Sequence, residues 1–145
     1  MNNTNDDGII TEMSAQEREE IIAGATAEMA YWRDAPARFF NAWKQGVALA
    51  GVAYFGDGTK AGFQAAGSKD DLAPRMAVVK EALGVLSGGE RTFLVAMYSF
   101  YNGRTAADMW EENFQSPDNI GTTISGLDLA RRRVLAELTL TYTGW

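Results

Sequence analysis

Apolar residues recur through most of this chain at steps of three and four, and almost nowhere at steps of two. The first rhythm lays side chains along one face of a helix, whereas a half-buried strand needs strict alternation. Start signals agree with it. Ser14-Ala15-Gln16-Glu17 and Ser87-Gly88-Gly89-Glu90 both have capping-box spacing, in which a hydroxyl and a carboxylate satisfy each other's backbone donors at a helix start. The one alternating run, Thr139-Leu140-Thr141-Tyr142-Thr143, continues a helical pattern. The expected fold is all-α, a single compact bundle of roughly five to seven helices with no sheet.

After Ser14, the residues Ile21, Ile22, Ala25, Met29 and Trp32 recur at helical spacing. Asp34 is placed to cap a second helix with Pro36 in its first turn. That helix carries Phe39, Phe40, Trp43, Val47, Ala50 and Tyr54 on one side, with Gly46 and Gly51 open to another backbone, until Gly56-Asp57-Gly58 breaks it. Lys60 to Gly67 reads as a short helix between loops. Ser68-Lys69-Asp70-Asp71, with Pro74 close behind, opens the next helix, whose seam is Leu72, Met76, Val79, Leu83 and Leu86. Phe93, Leu94, Met97, Phe100 and Tyr101 follow the second capping box. Asn102-Gly103 stops that helix, Gly103 being suited to a left-handed position. Thr105 to Asp108 caps again ahead of Met109, Trp110 and Phe114. An irregular stretch from Ser116-Pro117 carries Ile120, Ile124 and Leu127, and the last helix starts near Asp128, burying Val134, Leu135, Leu138 and Tyr142. Residues 1–13 form a polar acidic arm, and residues 14–145 form one all-α domain.

The 145 residues include no cysteine and no histidine. That removes a thiolate nucleophile, a histidine-based triad, a thiolate or imidazole zinc site, a disulfide and a histidine pH switch. Carboxylate, Lys, Tyr or hydroxyl chemistry remains, with a hard metal if any. Glu17 with Glu20, and Asp108 with Glu111 beside Glu112, each share a helix face. Two such helices could hold Mg²⁺, as in all-α phosphohydrolases that activate water on a nucleotide, although the E-E-x-x-E and E-x-x-D runs of those enzymes are absent. Asn3-Thr4-Asn5-Asp6-Asp7-Gly8-Ile9-Ile10 resembles the start of an EF-hand loop, but Ser14 stands where the bidentate Glu belongs. Leu86-Ser87-Gly88-Gly89-Glu90 resembles the signature loop of ABC-type ATPases. Their phosphate loop, G-x-x-x-x-G-K-S/T, is missing, so the segment reads as a turn and a helix cap. No motif calls for a cofactor.

Charge is distributed unevenly. Residues 1–34 hold eight acidic groups against Arg18 and Arg33, a net of −6, while residues 35–145 hold eleven of each sign. Such a chain repels phosphate backbones, so direct nucleic-acid binding is not expected, whereas a basic protein surface would attract the acidic segment. Arg131-Arg132-Arg133 is the one basic cluster. It fans across about 200° of helix, and pairing with the acidic first helix, within the chain or across a dimer, is its expected role. Sixteen aromatic residues (four Trp, five Tyr, seven Phe) exceed what one stripe per helix would hide, and Tyr31, Phe40, Tyr98, Trp110 and Trp145 fall off the main faces or at an end. With Glu17, Glu19, Glu20, Arg131 and Arg132, these form the candidate partner-binding set.

The function expected is therefore that of a small, acidic, non-catalytic protein-binding protein. It would be a subunit or inhibitor of a larger assembly, one that handles nucleic acid being the version in which the acidic arm imitates phosphate. The alternative is a Mg²⁺-dependent all-α hydrolase using Glu17, Glu20, Asp108, Glu111 and Glu112; a homodimer seam of exposed aromatics is a third reading. The polar, acidic start and a longest apolar run of ten residues, Gly46 to Phe55, point away from a membrane and toward the cytoplasm.

Overall fold

The computed structural model describes residues 13–114 and 120–145. Its first helix, α1, spans Ala15–Ala50. The capping box forms as read: the Glu17 amide donates to Ser14 Oγ at 3.2 Å and the Ser14 amide donates to Glu17 Oε2 at 2.7 Å. The expected second start at Asp34 does not occur, because α1 runs through Pro36. An internal proline costs about 3 kcal/mol, from one lost backbone bond and the clash of its ring with the carbonyl four residues back. Burial of Ala35, Phe39, Ala42 and Trp43 around it offsets that, since each large apolar side chain contributes about 1.5–3 kcal/mol. The Asp34 carboxylate takes the Arg33 guanidinium at 2.9 Å instead of capping.

Two compact units divide the chain, one ending at Asp34 and one spanning Ala35–Trp145. In the first, the described residues are the cap and the opening turns of α1. The second holds the core.

Gly51, at φ 125°, ends α1 earlier than the apolar pattern suggests, and Val52–Tyr54 form a 3₁₀ turn. A Cβ on Gly51 would also meet the Tyr54 ring at 3.0 Å, so this glycine serves the exit turn and not a neighbouring backbone. Phe55 and Pro74 then make an isolated antiparallel bridge, flanked by Gly56 N–H to the Ala73 carbonyl at 2.9 Å and Arg75 N–H to the Tyr54 carbonyl at 2.8 Å. Inside this loop lies α2, Lys60–Ala65, capped by Thr59.

The helix expected from Ser68 starts later. Asp70–Leu72 is only a 3₁₀ turn, and α3 spans Met76–Leu83. Proline disfavours the α conformation in the residue before it, and Ala73 is accordingly extended, at ψ 142°. Asp71 therefore closes its own turn, accepting from the Gly67 and Ser68 amides at 2.9 Å each. Of the expected seam, Leu72, Val79 and Leu83 are buried, while Met76 is exposed.

The second capping box opens α4, Gly88–Tyr101. Asn102 ends α4 and begins α5, Gly103–Asn113, its side chain accepting from the Thr105 amide at 3.0 Å. The cap is thus Asn102 and not Thr105, and Gly103 is an ordinary first helical residue without a positive φ. After Phe114 the described chain resumes with α6, Ile120–Ser125, and α7, Leu129–Thr141, capped by Asp128. Among the described residues there are seven α-helices and no strand, and the fold is all-α. None of the helices is long and apolar enough to cross a membrane.

Trp43, Phe55, Leu72, Leu83, Phe93, Leu94, Met97, Met109 and Leu138 fill the core. Trp43 is its anchor: its indole N–H donates to the Leu72 carbonyl at 3.1 Å, and its ring meets those of Phe55 at 5.7 Å and Trp145 at 4.8 Å.

Candidate functional site

Glu17, Glu19 and Glu20 are all exposed on the first turns of α1. The Ser14 amide and hydroxyl hold the Glu17 carboxyl below its usual range. Thus Glu17 closes the helix end, while Glu19 and Glu20 carry charge on its surface. The same stretch presents apolar side chains that sequence periodicity alone would turn inward: Ile21 is 58% exposed, Ile22 65%, Met29 73% and Trp32 47%. Ala25, Met29 and Trp32 lie along one side of this stretch, beside Glu28 and Arg33. Tyr31, half-buried, sets its ring edge-on to Trp32 at 5.1 Å.

The other candidates separate. Tyr98 is only 2% exposed, so it is a core residue and not a surface anchor. Its helix α4 packs against both α5 and α7, which buries a wider arc than one stripe and pushes the Tyr98 hydroxyl pKa up by desolvation. Trp145 is half-buried in an aromatic cluster with Trp43, Phe39 and Tyr101, and the Lys69 ammonium lies 4.9 Å from its ring. Trp110 stacks on Phe114 at 3.8 Å. Phe40 packs on the core margin, with Lys44 5.9 Å from its ring. Tyr142, expected inward, is exposed on one side and meets Phe39 and Phe100 on the other.

The basic cluster is engaged locally. Arg131 pairs with Asp128 and lies over the Phe93 ring. Arg132 donates to the Leu127 carbonyl at 2.8 Å and the Ser125 carbonyl at 3.1 Å. A separate ion pair joins Arg38 of α1 to Glu137 of α7 at 2.8 Å. Arg132 also stands at the edge of an apolar groove, about 550 Å³, walled by Leu127, Leu135, Ala136 and Leu140.

Carboxylates with perturbed protonation are turn and cap residues. Asp57, Asp71, Glu90 and Asp128 all sit below their usual range, held mainly by backbone or hydroxyl donors of Thr59, Gly67, Ser87 and Arg131 respectively. Asp108, Glu111 and Glu112 are exposed on α5. Among the described residues, which include these and Glu17 and Glu20, no group of three or more potential metal ligands is gathered to hold an ion. The calcium-like run from Asn3 lies outside the described residues. In the loop like that of the ABC-type ATPases, a Cβ on Gly89 would stand 3.0 Å from the Gly126 carbonyl, so the glycine admits a neighbouring turn.

No family model matches the chain, and neither a curated protein nor a solved structure resembles it.

Proposed function

We propose that this chain is a non-catalytic protein-binding protein, a subunit or inhibitor of a larger assembly, that engages a basic surface of its partner through the first half of α1. The observation that supports this most is the uncovered face of Ile21, Ile22, Met29 and Trp32 beside Glu17, Glu19, Glu20 and Glu28. Apolar side chains supply contact area, and the acidic surplus of residues 1–34 supplies attraction and orientation. Basic surfaces of this kind are presented by proteins that handle nucleic acid, whose phosphates the carboxylates would imitate. The cytoplasm is the compartment this reading assumes.

The test is affinity capture from the native lysate with three baits: wild type, Glu17→Lys/Glu19→Lys/Glu20→Lys, and Ile22→Glu/Met29→Glu. A stoichiometric protein held by wild type and lost by the charge-reversed bait supports the reading. If wild type retains no protein at either low or high salt, the reading is wrong.

A further inference from the structure

Ile22, Ala25, Met29 and Trp32 follow one another at steps of three, four and three. The same register continues through Pro36, Phe39, Trp43, Gly46 and Ala50. In the sequence this is a heptad repeat four units long, and a seven-residue repeat is the signature of a surface that packs against another helix. From Phe39 onward the seam is closed by the chain itself: Phe39, Trp43 and Gly46 are buried, with Met97 of α4 and Val134 of α7 over Gly46. Ile22, Met29 and Trp32 repeat that register while exposed.

We infer that the open half of this seam, Ile22 to Trp32, receives one amphipathic helix of the partner protein, apolar along its inner face and flanked by Lys or Arg. The inference rests on the protein-binding reading and specifies its contact. Charge selects the occupant. Glu28 borders the seam on one side and Glu19 on the other; of the two cations of residues 1–34, Arg33 is paired with Asp34 and Arg18 stands in the seam register seven residues before Ala25. A second copy of this chain would bring a further −6 against the −6 of residues 1–34. A basic-flanked helix meets the same short seam with attraction in place of repulsion, so binding should be modest and steeply salt-dependent.

The probe is a fluorescein-labelled three-heptad peptide with Leu at a and d and Lys at e and g, beside a matched peptide with Glu at e and g. Both are titrated with the full chain and followed by anisotropy. The Lys peptide should bind in the micromolar range and weaken about tenfold or more between roughly 50 and 500 mM salt, as the Debye length shortens. It should lose at least tenfold in affinity to Ile22→Glu/Met29→Glu, whose positions are exposed, so that the fold is undisturbed by circular dichroism; the Glu peptide should not bind. Equal binding of both peptides, or indifference to the double variant, overturns the inference. So does a concentration-dependent dimer in sedimentation velocity that the same variant abolishes, because the occupant is then a second copy. A photo-crosslinker at position 29 that joins only residues 1–12 of its own chain overturns it too. If the captured partner survives Ile22→Glu/Met29→Glu but not the triple charge reversal, the protein-binding reading stands and the seam is refuted alone.

Discussion

Two glycines of α1 make a matched experiment on how packing overrides helix propensity. Gly24 has nothing within 4 Å of an ideal Cβ, whereas a Cβ on Gly46 would fall 2.4 Å from Met97 Cε, 2.6 Å from Met97 Sδ and 3.1 Å from Val134 Cγ1. Replacing glycine with alanine inside a helix gains about 1 kcal/mol from backbone entropy alone. At Gly24 that gain should appear undiminished, as higher helix content. At Gly46 the Met97 tip must withdraw by about 1 Å to reach ordinary contact near 3.5 Å. Met97 is fully buried and Val134 is stiff at χ1, so the shift propagates. Overpacking of this kind costs about 1–3 kcal/mol. The net for Gly46→Ala is a loss of about 1 kcal/mol, near 3–4 °C in Tm for a chain of this size. Urea denaturation followed by circular dichroism would read it. The decisive control is Met97→Ala. It should cost about 2–5 kcal/mol alone, yet make Gly46→Ala neutral or favourable, a coupling of at least about 1 kcal/mol. Gly46→Ala as stabilising as Gly24→Ala, and additive with Met97→Ala, would refute the reasoning.

Trp43→Phe should cost about 1–3 kcal/mol for the orphaned Leu72 carbonyl, and more for the space vacated beside Phe55 and Trp145, as an earlier urea midpoint with an unchanged slope. Acid should destabilise the fold in a narrow window. Asp57, Asp71 and Asp128 lie below an ordinary 3.8, and Glu17 and Glu90 below 4.5. Their stabilisation is complete above those values, where folded and unfolded chains are both ionised, and is lost as pH falls through the lower folded values. With no histidine to titrate, Tm should hold nearly level from about pH 8 to 5 and drop below about 4.5, less steeply in Asp71→Asn. A scan that stays level down to pH 2 would contradict this.

What could be read from the residues is what is settled within four positions of the chain. Ser14 with Glu17, Ser87 with Glu90, and Asp128 form their caps because donor and acceptor are fixed by local geometry. Gly56 and Gly58 turn the chain at φ 54° and 79° for the same local reason, although α1, expected to run up to them, has already ended at Ala50. The all-α class followed from periodicity, and the acidic surplus from counting. Where two local signals competed, tertiary burial decided: Pro36 stays inside α1 because Ala35 and Phe39 are core, and Tyr98 turned inward because α4 has neighbours on two sides. The candidate site shows the limit most plainly. Ile22–Trp32 and Phe39–Ala50 share one register, so nothing in their spacing separates a covered seam from an open one. Met97 and Val134, dozens of residues away in the chain, lie over Gly46, and Phe55 and Trp145 meet Trp43. Burial is a property of pairs brought together by the fold, and hydrophobic periodicity records only one member of each pair.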